Sequence, residues 1–267
     1  MTSAYEVVYM LVSVDIHGVV QSLLGTCFPI AASGVFLTAA HNFYLFEEYK
    51  HEFEKDPIFR RKNLEINQSK MRVAVLKMPD VSTNPFHPIK ELVEQVIIFT
   101  TDDVAVILVQ NLKFEVGKCF PIQESVSLGQ KVFAIGYGNN GTEISFLPNT
   151  PKKRIDAVLS KSHGSVLNLY PNGRDKTLAW YPCFESSCEI LSGQSGGPVI
   201  DESTCSVVGI NSRSMFGSSS LISWLGKVLD EKLSTGWTFT HPETGNKIPW
   251  IDLSLRDLSR FGIVFIN

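Results

Sequence analysis

The chain is built from short runs of β-branched and aromatic residues, each cut within a few positions by glycine, asparagine or proline. Tyr5–Val14, Gly34–Leu37, Met71–Leu76, Asp103–Gln110, Lys131–Tyr137 and Ser206–Asn211 are the clearest. Such runs read as strands, and no helices of matching number alternate with them. That argues against a parallel βαβ sheet and for antiparallel sandwiches or barrels. The 267 residues supply enough material for one or two domains with sizeable cores.

Two segments depart from the strand pattern. Asn42 to Asp56 is charged, with Phe46, Tyr49 and Phe53 on one side, and Pro57 stops it; this spacing predicts a one-sided helix. Ser220 to Leu233 predicts another, with Leu221, Leu225 and Val228 on a face, Ser220 as cap and Gly236 after it. The tail from Trp237 to Asn267 holds two of the four tryptophans and is expected to pack on the body.

Composition excludes several classes of function. With 24 basic and 27 acidic side chains the net charge is −3, which gives no electrostatic footprint for nucleic acid. Asp102 and Asp103 interrupt the longest apolar stretch, so no membrane span is expected. The first residues lack a basic n-region, and the apolar stretch Val7–Val14 is too short for a signal h-region. A cytoplasmic location follows as the expectation. The cysteines at 27, 119, 183, 188 and 205 are odd in number, without a disulfide framework or a complete zinc set. Five free thiols and no metal or organic cofactor are expected.

Three strings carry candidate chemistry. Leu191-Ser-Gly-Gln-Ser195-Gly-Gly-Pro-Val-Ile200 surrounds a serine with glycines, which permit positive φ and close approach of another chain. Successive N–H groups at Gly193 and Ser195 could cradle a developing oxyanion. A serine hydroxyl needs a base, and Val35-Phe-Leu-Thr-Ala-Ala-His41 offers a histidine after two small residues. Thr100-Thr-Asp-Asp103-Val-Ala-Val-Ile-Leu108 opens an apolar strand with an acid, whose burial requires a hydrogen-bonding partner such as that imidazole.

Together Leu-Thr-Ala-Ala-His41, Asp103-Val-Ala-Val-Ile and Gly193-Gln-Ser195-Gly-Gly-Pro resemble the three signature blocks of the trypsin-like, chymotrypsin-fold serine proteases. They occur in that family's order, at spacings of 62 and 92 positions. Ser127–Tyr137 resembles the strand that opens the second barrel in HtrA-like and other bacterial-type, non-secreted members. The resemblance implies a mostly β fold of two antiparallel six-stranded-type barrels with a C-terminal helix and an extra tail. Residues 1–115 would form the barrel carrying His41 and Asp103, residues 116–235 the barrel and helix carrying Ser195, and residues 236–267 a packed extension. It implies a serine endopeptidase acting on protein or peptide substrates. Ser195 would be nucleophile, His41 general base and then acid, and Asp103 rather than Asp102 its orienting carboxylate. Gly193 and Ser195 would form the oxyanion hole. Ser212 would support Asp103, and Ser212, Arg213 and Ser214 would pair with an extended substrate.

Departures from the family pattern matter too. The aspartate that precedes the nucleophile in secreted members is Gln194 here, so activation by a cleaved N-terminus is not expected. The cysteine after the catalytic histidine is replaced by Asn42, which removes the usual bridge. The site is therefore expected to be always formed or ordered by a regulatory partner. Glu189, six residues before Ser195, sits where the family often places the base of its specificity pocket; a buried carboxylate there would select Lys or Arg, whereas a solvent-facing one would not. Ser214 stands where the family often has glycine on a pocket wall. The segment Phe43–Lys62 follows His41 and is either near the leaving-group side or a solvated helix. Two other readings compete. Gly193-Gln-Ser195-Gly-Gly197 also fits the nucleophile elbow of α/β-hydrolases, with only Asp230 and His241 left to follow it. The fold could also serve as a catalytically silent binding or scaffold module.

Overall fold

In the computed structural model the described residues are 7–17, 19–44, 62–65, 72–77, 89–109, 118–139, 157–215 and 219–267. Eight strands form the N-terminal sheet: β1 (Tyr9–Val14), β2 (Val20–Ala31), β3 (Val35–Thr38), β4 (Lys62–Glu65), β5 (Arg72–Lys77), β6 (Ile89–Leu92), β7 (Gln95–Phe99) and β8 (Val104–Leu108). Their order is β4-β7-β8-β3-β2-β1-β5-β6, antiparallel throughout. The sheet curls because one long strand serves both halves: β2 pairs with β1 from Val20 to Cys27 and with β3 from Phe28 to Ala31.

The second half closes completely. β9 (Lys131–Asn139), β10 (Ala157–Tyr170), β11 (Cys183–Ser186), β12 (Pro198–Asp201), β13 (Val207–Met215) and β14 (Ser219–Trp224) form a barrel in the order β10-β11-β14-β13-β12-β9. β9, which opens the barrel, carries the Lys131–Tyr137 run singled out in the sequence. The mostly β expectation holds, with a closed six-stranded barrel beside a curled eight-stranded sheet.

Several inner strands are buried on both faces, and their period of two divides residues between separate cores. In β1, Tyr9 and Leu11 fill the N-terminal barrel with Phe36, Val75 and Ile107, whereas Met10, Val12 and Val14 turn towards the junction. In β9, Val132 and Ala134 fill the second barrel, and Phe133, Ile135 and Tyr137 face the junction. The junction is thus a hydrophobic core in its own right, which fixes the two barrels against each other and makes the cleft between them a stable place for a site.

The helix expected over Ser220–Leu233 is not formed. Ser219–Trp224 is a strand held between β11 and β13, with Leu221 and Ile222 buried on opposite sides. Strand pairing overrides the 3.6-residue spacing, and only Val228–Asp230 makes a 3₁₀ turn. The C-terminal helix is α1 (Leu255–Arg260), opened by a reciprocal capping box between Ser254 and Asp257. It belongs to the tail, which also contains the hairpin of β15 (Thr238–Thr240) and β16 (Lys247–Pro249). In the tail Phe239, Trp250, Leu255, Leu258, Ile263 and Val264 join the junction core. Arg256 ties it down through Asp230 and Glu124. The predicted helix after Asn42 begins as a 3₁₀ turn over Ala40–Phe43; its remainder, from 45, lies outside the described residues. No helix among the described residues is long and apolar enough to cross a membrane.

Candidate active site

His41 lies in the 3₁₀ turn that follows β3, and the small Ala39 and Ala40 before it are fully buried. Their size lets the turn pack against the chain entering β8, where the Ala40 N–H donates to the Asp103 carbonyl at 3.2 Å. Asp103 sits at φ 49°, a left-handed conformation that aspartate tolerates better than bulkier residues. Its carboxylate is buried and faces the imidazole. His41 Nδ1 is 2.9 Å from Oδ2, and the His41 backbone N–H donates to Oδ1 at 3.0 Å. An ionised carboxylate only accepts, so Nδ1 carries the proton and Nε2 of the neutral ring is the free base. Asp102, by contrast, accepts from its neighbour Thr101.

The second barrel completes this pair. Ser212 on β13 donates from Oγ to Asp103 Oδ2 at 2.5 Å. Ser212 Oγ is in turn hydrogen-bonded to the hydroxyl of Tyr181, a residue only 2% exposed. Because the Ser212 proton points to the carboxylate, Tyr181 is the donor in that contact. A line of four side chains, Tyr181–Ser212–Asp103–His41, therefore crosses between the barrels. The sequence offered no sign of Tyr181 beyond an aromatic pair before Pro182, since the contact depends on a loop folding over β13.

Electrostatics follow from this line. Burial opposes ionisation of both partners, but each compensates the other. The Asp103 charge and hydrogen bond carry His41 above the ordinary imidazole value, against burial and against the Arg213 cation. His41, Ser212 and the His41 backbone N–H hold Asp103 below the ordinary carboxylate value despite burial. Burial and the Asp103 charge push the Tyr181 phenol far up, so it remains a donor.

Ser195 lies in the same cleft, between β11 and β12. Gly193 and Gly196 hold φ values of 91° and 88°, and a Cβ at Gly196 would fall 2.1 Å from the Thr26 carbonyl oxygen. These glycines are needed for the turn and for the closeness of the two barrels. The N–H groups of Gln194 and Gly196 bond to Leu191 and Asn211 carbonyls. Ser195 Oγ donates to the Ser212 carbonyl at 3.2 Å rather than to His41. Gln194 is 2% exposed, and its amide is fully engaged. Oε1 accepts from the Leu191 N–H at 2.7 Å, while Nε2 donates to Ser160 Oγ at 2.7 Å and to the Gly136 carbonyl at 3.2 Å.

The remaining residues singled out in the sequence fall into two groups. Arg213 and Ser214 are exposed on β13, beyond Ser212. Glu189 is exposed, with its N–H donating to Ser162 Oγ, so it does not occupy the buried position that selection of Lys or Arg requires. The five cysteines are unpaired, four of them buried. Among the described residues no cluster of His, Cys, Asp or Glu is placed to hold a metal ion.

Two antiparallel barrels with a His–Asp pair on one and a glycine-bound serine on the other define a chymotrypsin-type architecture. The family profile for the trypsin-like peptidase domain matches residues 25–210, and the chain belongs to that family. Solved structures agree on the fold. Deg5 superposes with a TM-score of 0.51 at 16% identity, covering 85% of this chain and 86% of its own. The active form of the Rv3671c protease from M. tuberculosis gives 0.53 at 16% identity, covering 85% and 79%. No curated protein matches the sequence.

Proposed function

We propose that the chain is a serine endopeptidase that hydrolyses peptide bonds through an acyl-enzyme. The observation that carries this reading is the Asp103 carboxylate fixed on His41 Nδ1, which leaves Nε2 as base in the cleft that also holds Ser195. Ser195 Oγ attacks the scissile carbonyl as His41 Nε2 takes its proton, and the imidazolium that forms is stabilised by Asp103. His41 then protonates the leaving amine. A water molecule, deprotonated by His41, releases the acid product from Ser195. The Gly193 and Ser195 N–H groups are the donors assigned to the oxyanion, a contribution on the order of 3 kcal/mol for each such donor. The edge of β13 at Ser212–Ser214, past its pairing with β12, is assigned to an extended substrate, added as a strand. Ser195 turns from the Ser212 carbonyl to His41 when substrate occupies that edge, since free enzymes often hold their catalytic hydrogen bonds loosely.

A fluorophosphonate probe tests the proposal. Wild type is labelled at Ser195, and Ser195→Ala and His41→Ala are not; peptide hydrolysis falls by about four orders of magnitude or more in either variant. Labelling that survives Ser195→Ala refutes the assignment. The contact of Ser195 with Ser212 instead of His41 is the one observation that favours the silent binding module, and absence of label on wild type supports it.

A further inference from the structure

We infer that Asn42 is a positioning residue for the nucleophile: it holds the backbone of Ser195 in register with His41 across the barrel junction. The inference rests on the serine-hydrolase reading above.

Asn42 follows His41 in the same 3₁₀ turn and is 3% exposed. Its Nδ2 donates to the Ser195 carbonyl at 3.1 Å and to Thr38 Oγ1 at 3.0 Å. The Thr26 N–H reaches the same Ser195 carbonyl at 2.8 Å. Thr38 passes its own proton to the Thr26 carbonyl at 2.7 Å, so every donor has a single direction and the network closes. Both lone pairs of the Ser195 carbonyl are therefore held by the N-terminal barrel. That fixes the 195–196 peptide plane and, through it, the direction in which the Ser195 side chain leaves the backbone.

Two glycines clear the space for this amide. A Cβ at Gly25 would lie 2.4 Å from Asn42 Nδ2 and 2.6 Å from the Ser195 oxygen, and one at Gly196 would lie 2.8 Å from Nδ2. Where secreted relatives are expected to carry a cysteine after the histidine, this chain places an amide whose hydrogen bond links the histidine's turn directly to the nucleophile. Its consequence for catalysis is geometric. Base and nucleophile stand on different barrels, and a displacement of about 1 Å between them can cost on the order of 100-fold in rate.

The test uses the full chain with ¹³C-carbonyl serine and ¹⁵N-glycine. The sequence has three Ser–Gly pairs, 33–34, 192–193 and 195–196, and loss of one peak in Ser195→Ala identifies the third. In Asn42→Leu the Ser195 carbonyl resonance moves while the other two stay. Fluorophosphonate labelling slows by at least about tenfold, the loss expected for one buried hydrogen bond, and KM for a cleaved peptide stays within about twofold. An unmoved Ser195 resonance, or labelling of Asn42→Leu at the wild-type rate, overturns the inference. A wild-type chain that takes no label but whose resonance still responds rejects the hydrolase reading and keeps the clamp.

Discussion

Gln194→Leu removes one amide from the centre of the site while nearly conserving volume, and its cost can be worked from the contacts. Three groups lose their partner: the part-buried Leu191 N–H and Ser160 Oγ and the buried Gly136 carbonyl. The first two bonds, both 2.7 Å, leave groups that water can partly reach, so each costs nearer the net value of a hydrogen bond, about 0.5–1.5 kcal/mol, than the full penalty of an orphaned buried group. After some return from the apolar leucine, a net loss of about 2 kcal/mol is expected. At about 2–4 °C per kcal/mol for a chain of this size, Tm falls by about 4–8 °C in a thermal melt followed by circular dichroism. The Leu191 end of this loop is no longer pinned, so the Gly193 and Ser195 N–H groups lose their fixed spacing. Fluorophosphonate labelling, measured well below the melting range, drops on the order of 100-fold, comparable to the loss of one oxyanion donor. Gln194→Glu adds a sign test. Its carboxylate would set an oxygen against the Gly136 carbonyl, which can only accept, so its folded pKa is raised and its melting deficit shrinks as pH falls and it protonates. A Gln194→Leu protein that melts within 2 °C of wild type and labels within about twofold would refute the reasoning.

Further outcomes follow from the same contacts. Arg213→Gln removes a cation that opposes protonation of His41, so the acid limb of the labelling profile moves to higher pH, whereas Arg213→Lys leaves it in place. His41 is raised and Asp103 lowered, so their pairing contributes most above the Asp103 titration and below the ordinary histidine value. The destabilisation caused by His41→Ala, read from denaturant midpoints, is therefore larger at pH 5 than at pH 9. Tyr181→Phe leaves Ser212 without its donor and slows labelling with little change in KM; an unchanged rate would remove Tyr181 from the line of side chains that orients His41. Trp250→Ala opens a cavity in the junction core, where Trp250 is fully buried with its Nε1 on the Leu253 carbonyl at 2.8 Å. It should cost about 3–5 kcal/mol and lower a single melting transition rather than split it.

The local signals for the strands proved strong. The strands at Tyr9, Val35, Val104, Lys131 and Val207 were legible because short β-branched runs have few other ways to bury both faces. His41, Asp103 and Ser195 stand out in the sequence because each sits in a string whose small or glycine residues serve the turn around it. The reading of Ser220–Leu233 failed because a strand hydrogen-bonded on both edges obeys its neighbours, not its own periodicity. Glu189 failed as a buried pocket residue because exposure is set by how the loop before Ser195 lies on β10, through Ser162.

By itself the sequence determined the alternation that makes strands, the glycines that permit the tight turn at Ser195, and the chemistry available at His41, Asp103 and Ser195. Only the tertiary structure decided that Tyr181 reaches Ser212, that Gln194 binds inside the second barrel, and that Asn42 and Thr26 share the Ser195 carbonyl. Those contacts join residues from 31 to 169 positions apart. Their geometry depends on how the two barrels settle against the junction core, a property of the packed whole that no local run of residues encodes.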